Sequence, residues 1–198
     1  MFGTTRKGSC QKKRLEKIIE SRHVVKTLGS GGIIAYPTDT IYGMGCDPKN
    51  KEAVQRLLEI KQRPKDMGLI LLGASIDGIE SWIDISAEQK EIIEGKNSVP
   101  TTYLVPKKEA APSWISGKHA SIAIRITQKD PIPYLQSVLG SPIVSTSANF
   151  HGGAELKSFK EVQKTLSGVV DLILEGPLDA KSKPSRIVDI LTNEIIRG

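Results

Sequence analysis

Short apolar runs alternate with segments of helical periodicity along most of the chain, and this alternation limits the folds that it can adopt. A run of about four to eight apolar residues is typical of a buried strand, whereas apolar residues recurring every three or four positions indicate an amphipathic helix. Strands that interleave with helices are typical of α/β proteins. We therefore predict an α/β fold with a twisted, mixed parallel and antiparallel open sheet that is flanked by helices.

The predicted elements follow one another with short connections. The predicted strands are Ile33–Tyr36, Ile41–Cys46, Leu69–Leu72, Thr101–Val105, Ser121–Ile126, Pro142–Ser145, Val169–Leu174, Arg186–Leu191 and Glu194–Arg197. The predicted helices are Lys12–Leu28, Lys49–Gln62, Ile76–Trp82, Ala87–Ile93, Pro131–Leu139 and the segment from Ser158 to Leu166. Asn50 is a predicted N-cap, and Ser158 with Glu161 has the spacing of a capping box. Residues 1–11 lack any such pattern, so we predict a flexible leader over 1–11 and a single domain over 12–198.

Composition and charge narrow the class of protein. The 198 residues are 38% hydrophobic, enough for one domain with a full core, and the net charge of +6 permits an anionic partner such as a nucleotide or RNA. Cys10 and Cys46 have neither metal-binding nor disulfide spacing, and His23, His119 and His151 are scattered, which argues against a zinc site. Because there is no apolar run of membrane-spanning length and no secretory signal, we expect a cytoplasmic protein.

Two cations stand two residues apart where the helix from Lys49 is expected to end. Lys61 and Arg63 are followed at once by Pro64, which stops a helix. Lysine offers a point charge and arginine a planar fork of donors, a combination suited to phosphate. We expect both side chains at an exposed helix end. Cations at such an end can also serve only to complement the helix dipole, and that alternative stays open.

Small polar side chains occur at the ends of two predicted strands. The segment Ser145–Asn149 follows a short apolar run, and its hydroxyl and amide groups could bind phosphate or sugar oxygens, or form a plain turn. Pro37–Thr40 separates two strands and places hydroxyls at a sheet edge, where a ligand site or a simple connection is possible. Arg125 shares one strand face with Ser121 and Ala123, which predicts a pocket or an exposed face there.

With these motifs the chain resembles the YrdC/TsaC family of threonylcarbamoyl-AMP synthases, from about Gly31 to its end. The segments that carry the resemblance are Gly32–Asp47, Leu57–Pro64, Gly68–Leu71, Ser121–Ile126, Ser145–Asn149, Pro184–Asp189 and the final Ile-Arg-Gly. The resemblance is to the short, single-domain branch, which depends on separate partner proteins for transfer to tRNA. One departure is that Asn97-Ser98-Val99 stands where the family commonly has Trp-Pro-Gly.

The resemblance implies a reaction and a set of site residues. The family makes threonylcarbamoyl-AMP and pyrophosphate from L-threonine, bicarbonate or CO2, and ATP, for the threonylcarbamoyl modification of tRNAs reading codons that begin with A. By motif, the implied catalytic residues are Lys61, Arg63, Ser147 and Asn149. The implied ATP-binding residues are Lys61, Arg63, Ser121, Ser145 and Ser147, and the implied threonine-binding residues are Thr38, Arg125 and Ser185. Mg²⁺ is expected to arrive with ATP rather than on a metal site of the protein.

Two other functions stay open at this point. The positive charge and the basic segment Lys12–Lys17 would suit an RNA-binding module of the same fold, for tRNA or double-stranded RNA. The missing Trp-Pro-Gly would suit a relative that kept the fold and changed its substrate. The Gly- and Pro-containing segment Gly176–Pro184 before Ser185 has two interpretations in the synthase: a lid that closes over the substrates, or a solvated surface loop with no catalytic part.

Overall fold

The structure, a computed structural model, describes residues 21–39, 41–150, 152–178 and 185–197. The predicted leader over 1–11, the first part of the predicted helix Lys12–Leu28, and residues 179–184 of the predicted lid lie outside the described residues. Within the described ranges, none of the helices combines the length and the apolar surface needed to cross a membrane.

The described residues form a nine-stranded mixed sheet with helices on both faces, which confirms the predicted fold class. The strands are β1 (Ile34–Pro37), β2 (Tyr42–Gly45), β3 (Ile70–Gly73), β4 (Thr101–Pro106), β5 (Ser121–Ile126), β6 (Ile143–Ser147), β7 (Leu172–Ile173), β8 (Arg186–Asp189) and β9 (Ile195–Arg197). The helices are α1 (21–29 of the described range), α2 (Lys51–Ile60), α3 (Ala87–Glu94), α4 (Ser113–Ser116), α5 (Ile132–Leu139) and α6 (Phe159–Leu166), with a 3-10 turn at Glu80–Trp82.

Strand order in the sheet differs from strand order in the sequence. The order is β7-β1-β2-β6-β3-β5-β4-β8-β9, so β6 is inserted between β2 and β3. The pairs β1–β7, β3–β5 and β4–β8 are parallel, and the remaining pairs are antiparallel. This insertion brings the polar end of β6 to the centre of the sheet.

Side-chain alternation along the strands divides the buried apolar residues into two clusters. On one face, α2, α3, α4 and α6 contribute to a large cluster that includes Leu57, Ile93 and Val162. On the other face, α1 and α5 cover a smaller cluster that includes Leu28 and Leu135. No described residue of β4, β5 or β8 belongs to the smaller cluster. Among the described residues, that half of the face therefore has no helix packed on it through this cluster.

Local capping agrees with the sequence at one helix and differs at another. The side chain of Asn50 accepts a hydrogen bond from the N–H of Ala53 at 2.9 Å, as predicted for the N-cap of α2. At α6, Ser158 accepts from the N–H of Glu161, but the Glu161 carboxylate accepts from the N–H of Lys157 at 2.8 Å. The predicted capping box was therefore wrong in its second half, because the glutamate reaches one residue too far back.

Two predicted elements are shorter in the structure than in the sequence pattern. The predicted strand Val169–Leu174 pairs only over Leu172–Ile173, at the edge beside β1. The predicted helix Ile76–Trp82 is reduced to the 3-10 turn at Glu80–Trp82, with Gly78 at a φ of 87°. A positive φ is incompatible with a continuing right-handed helix, and it explains the late start of this turn.

Candidate active site

A cleft of about 290 Å³ opens on the sheet face that carries the smaller apolar cluster. It is lined by residues from β5, β6, the β1–β2 connection, the segment after α2 and the last two strands. The predicted site residues that line it are Thr38, Arg63, Arg125, Ser145, Ser147 and Ser185. The structure thus brings together residues that are widely separated in the sequence.

Strand pairing explains why the side chains of β5 and β6 meet in this cleft. Ser145 lies opposite Ile70, and Arg125 lies opposite Leu72, on the two sides of β3. Ile70 and Leu72 are two residues apart on one strand, so they share a face. Ser145 and Arg125 consequently project on that same face, about 7 Å apart along the strand direction.

A glycine keeps the floor of the cleft open beside Thr38. Gly43 pairs with Ser147, and a Cβ added at Gly43 would lie 3.2 Å from Cγ2 of Thr38 and 3.4 Å from Oγ of Ser145. Thr38 is held by its own turn, since its Oγ1 donates to the carbonyl of Ile41 at 2.6 Å and its N–H donates to the same oxygen at 3.2 Å. The hydroxyl-bearing turn predicted from the sequence therefore borders the cleft.

Lys61 points into the protein rather than into solvent. It is the C-cap of α2 and is only 7% exposed. Its Nζ donates to the carbonyl of Ser147 at 3.0 Å, to Oδ1 of Asn149 at 3.3 Å and to the backbone carbonyl of Asn149. The expectation of an exposed lysine was wrong, because Lys61 is still in right-handed helical conformation and lies one turn after Leu57 and Leu58 on the buried face of α2.

Burial changes the acid–base behaviour of Lys61 and Arg63. Desolvation, and then the positive charge of Arg63, lowers the pKa of Lys61. Desolvation also lowers the pKa of Arg63. Arg63 is half-buried, whereas the sequence analysis expected it at an exposed helix end. Nη2 of Arg63 donates to the carbonyl of Gly68 at 2.7 Å, while its Nε has no partner among the described residues. Arg63 therefore lines the cleft, and its guanidinium has N–H donors beyond the one that Gly68 accepts.

Lys61, Asn149 and Ser121 do not line the cleft itself. Lys61 and Asn149 lie behind Ser147, where the amide Nδ2 of Asn149 donates to the carbonyl of Gly153 at 2.5 Å. Ser121 begins β5 on the same face as Arg125, four residues earlier. Lys61 and Asn149 consequently support the cleft from behind, and Ser121 lies beyond its end.

Arg125 forms a buried ion pair that the sequence did not indicate. Its Nη2 lies 2.5 Å from Oδ2 of Asp39, and the two residues are 8% and 6% exposed. Of the two predicted alternatives for this strand face, a pocket or an exposed surface, the structure has the pocket. Its partner is 86 positions away in the sequence, and Asp39 was covered only by the expectation of a ligand site or a simple connection at Pro37–Thr40. The signal available was a carboxylate within the same motif as Thr38.

The last strands contribute one predicted residue and one that was missed. Oγ of Ser185 lies 2.9 Å from Oγ1 of Thr102, and Nη2 of Arg197 donates to the carbonyl of Ser185 at 3.0 Å. Arg197 and Glu155 also line the cleft, although neither was predicted as a site residue. The only sequence signal for Arg197 was the closing Ile-Arg-Gly of the resemblance.

The charges around the cleft favour an anionic ligand. Arg63, Arg125 and Arg197 line it, against Glu155 and the buried carboxylate of Asp39. Arginine presents a rigid fork of donors that matches carboxylate and phosphate groups. Across the part of the chain that the structure describes, no cluster of three or more His, Cys, Asp or Glu side chains could hold a metal ion.

Comparison with known proteins identifies the family. A model of the Sua5, YciO and YrdC proteins, described as "Telomere recombination", matches residues 26–198. The chain is a member of the Sua5/YciO/YrdC family. The resemblance predicted from the motifs is thereby confirmed.

Curated relatives in the Sua5/YciO/YrdC family match nearly their whole length. The threonylcarbamoyl-AMP synthase of Xanthomonas campestris pv. campestris (strain B100) is 39% identical over 176 residues, covering 87% of this chain and 94% of the relative. The protein of that name from Vibrio campbellii is 38% identical over 177 residues, covering 88% and 96%.

A solved structure of the same family has the same fold. P. abyssi Sua5 in complex with L-threonine aligns with a TM-score of 0.76 and 28% identity. The alignment covers 85% of this chain and 50% of that one, so the present chain spans about half the length of P. abyssi Sua5.

Proposed function

We infer that the chain is a threonylcarbamoyl-AMP synthase, which forms L-threonylcarbamoyladenylate and pyrophosphate from L-threonine, bicarbonate or CO2, and ATP. The observation that carries this conclusion is the single cleft in which the predicted nucleotide-side and threonine-side residues meet. Curated synthases that match over nearly their whole length support it further, and P. abyssi Sua5 was solved with L-threonine.

The nucleotide side of the cleft is assigned to the region around the end of β6. We propose that Arg63, Ser145 and Ser147 bind the phosphates of ATP, since a guanidinium and two hydroxyl-bearing side chains line the cleft there. Lys61 adds its charge from behind and fixes Ser147 and Asn149 in place. Ser121, at the start of β5, extends this side beyond the cleft and completes the ATP-binding set.

The threonine side is assigned to the region around Arg125. We propose that Arg125 binds the carboxylate of L-threonine, because a guanidinium pairs with a carboxylate through charge-assisted hydrogen bonds. Thr38 and Ser185, the other predicted threonine-binding residues, line the same cleft as Arg125, with Ser185 directly before β8. Both anionic substrates would then lie on one sheet face, within reach of each other.

The chemistry that this arrangement supports is attack by one anion on another. An oxygen of the threonine carbamate attacks the α-phosphorus of ATP; the new O–P bond forms as the bond to the pyrophosphate oxygen breaks, and the electron pair leaves with pyrophosphate. Fixed cations and hydrogen-bond donors lower the barrier by stabilising the charge on the transferring group. The protein supplies position and charge and forms no covalent intermediate.

Mg²⁺ belongs to this proposal as a companion of ATP. The residues present fit such a role, because Mg²⁺ is usually held by one or two carboxylates together with substrate phosphates, and Glu155 lines the cleft. Bound in this way, Mg²⁺ would screen the negative charge of the pyrophosphate leaving group.

We place the reaction in the cytoplasm, with the tRNA threonylcarbamoyl-transfer proteins as the partners that use the product. Direct binding of tRNA or double-stranded RNA is the other candidate function, and its support is the net charge of +6. The curated relatives favour the synthase over that alternative.

The test is pyrophosphate release from ATP, with L-threonine and bicarbonate each omitted in turn. A synthase requires both, whereas an RNA-binding module shows no turnover and an RNA affinity that falls steeply with salt. A relative with a changed substrate releases pyrophosphate with another amino acid in place of threonine. Arg63→Gln should abolish release, and Arg56→Gln is the matched control because Arg56 pairs with Asp171 away from the cleft.

A further inference from the structure

Arg125 lies in the wall between the cleft and a second cavity. The second cavity, of about 640 Å³, is lined by Asp39 and Arg125 together with parts of the segments 94–101 and 126–129. Arg125 lines both spaces, whereas Asp39 lines the second cavity and not the cleft. Asp39 therefore reaches the guanidinium from the side opposite the substrate.

The ion pair leaves Arg125 with one charged partner among the described residues. Nη2 of Arg125 lies 2.5 Å from Oδ2 of Asp39, and Nε of Arg125 has no partner in the described ranges. Both residues are more than nine-tenths buried, so water does little to orient them. A guanidinium has five N–H donors, and Arg125, which also lines the cleft, directs Nη2 at Asp39.

Asp39 is itself carried by a fixed piece of backbone. It lies between β1 and β2, directly after Thr38, whose hydroxyl and N–H both donate to the carbonyl of Ile41. Pro37 at the end of β1 restricts the backbone further. The carboxylate is therefore presented to Arg125 from a turn with little freedom to move.

We propose that Asp39 is a positioning residue, which holds the guanidinium of Arg125 in the wall so that its free donors face the carboxylate of L-threonine. This inference rests on the proposed function and adds to it a residue that does not itself touch the substrate. Without the Asp39 charge, the long side chain of Arg125 can swing into the second cavity. Binding of threonine is then weakened, while binding of ATP at the β6 end is spared.

The first experiment compares Asp39→Asn with the wild type in the pyrophosphate-release assay. Asparagine keeps the shape of the side chain and removes its charge. We expect the KM for L-threonine to rise about 10-fold or more, which corresponds to the loss of one charge-assisted hydrogen bond. The KM for ATP should stay within about 2-fold of the wild-type value. Titration of L-threonine by calorimetry should show the same loss of affinity. Asp171→Asn, which breaks the Arg56 pair outside the cleft, is the matched control and should leave both constants unchanged.

The second experiment separates positioning from a general structural effect. In an Arg125→Gln background, Asp39→Asn should weaken threonine binding no further, because Asp39 acts through Arg125. Additive effects in this cycle, equal increases in both KM values, or an unchanged KM for threonine would each overturn the proposal. Asp39→Glu retains the charge and should recover part of the threonine affinity. If Asp39→Asn does not fold, a wild-type threonine affinity in Asp39→Gln overturns the proposal and a reduced affinity supports it.

The wild-type protein distinguishes this inference from the function on which it rests. A wild-type chain that neither binds L-threonine nor releases pyrophosphate refutes the synthase itself. A wild-type chain that does both, with an Asp39→Asn variant of equal threonine affinity, refutes only the role of Asp39.

Discussion

Replacing Lys61 by methionine tests whether this lysine holds the end of β6 in place. Methionine has a similar length and fills the same space, but it has no donor and no charge. The ammonium group has three N–H donors, and Lys61 directs them at oxygens of Ser147 and Asn149. Lys61→Met therefore leaves the carbonyls of both residues without their partner and frees the segment that carries two predicted catalytic side chains.

The expected size of the effect follows from those contacts. A hydrogen bond to a charged group contributes about 1.5–3 kcal/mol, and Lys61 makes such bonds to two residues, so about 3–6 kcal/mol is at stake. If this loss falls on the transition state, it corresponds to a reduction of about 10²–10⁴-fold in kcat/KM. Part of it will instead lower the free energy of unfolding, because the two carbonyls are then unsatisfied in the folded state.

Two measurements separate these contributions. Pyrophosphate release with L-threonine and bicarbonate gives kcat/KM, and urea unfolding gives the change in stability. Lys118→Met is the control, since Lys118 is exposed and pairs only with the surface residue Asp66 among the described residues. Activity of Lys61→Met within about 3-fold of Lys118→Met would refute the reasoning, because a displaced β6 end cannot leave catalysis intact.

Three further predictions concern the cleft, the sheet and the pH dependence of stability. Arg125→Ala should raise the KM for L-threonine far more than that for ATP in the same assay. Gly45→Ala should lower the free energy of unfolding by about 3 kcal/mol or more in urea, because its Cβ would lie 1.8 Å from the carbonyl oxygen of Val144, whereas Gly29→Ala, with open space around it, should not. Burial raises the pKa of Cys46 to about 12. Since the folded state then binds a proton that the unfolded thiol loses near pH 8.5, unfolding at increasing pH should show stability falling above about pH 9, with Cys46→Ala reducing the slope.

The fold was largely predictable because period and capping are local properties. The apolar alternation located each strand to within a few residues, and Asn50 marked the start of α2 correctly. The errors arose where the length of an element depends on its pairing with another part of the chain. Val169–Leu174 has the composition of a longer strand, but its pairing with β1 is confined to Leu172 and Ile173 and to the flanking N–H groups of Asp171 and Leu174.

The sequence motifs identified most of the residues that form the site, but the direction or the partner of several side chains was not predicted. The motifs identified Lys61 and Arg125 as important side chains. The inward direction of Lys61 follows from the helical period, because Lys61 comes one turn after the buried Leu57 and Leu58, but the stop at Pro64 favoured an exposed helix end instead. The pairing of Arg125 with Asp39 depends on two distant segments meeting, which no local pattern predicts. Arg197 was missed because its one signal, the closing Ile-Arg-Gly, assigned it no role.

The insertion of β6 between β2 and β3 has a consequence for synthesis of the chain on the ribosome. β2 and β3 emerge early, and each exposes an unpaired edge until the chain has been made as far as Ser147. If β2 paired directly with β3, the chain would be misfolded, because β6 could no longer enter the sheet between them. The polar residues of β6 thus reach their positions only if the facing edges of β2 and β3 have stayed unpaired until then. A nascent chain stalled before Ile143 should expose the unpaired edges of β2 and β3 and recruit chaperones. A chain stalled well beyond Ser147 should not, because β6 then covers both edges.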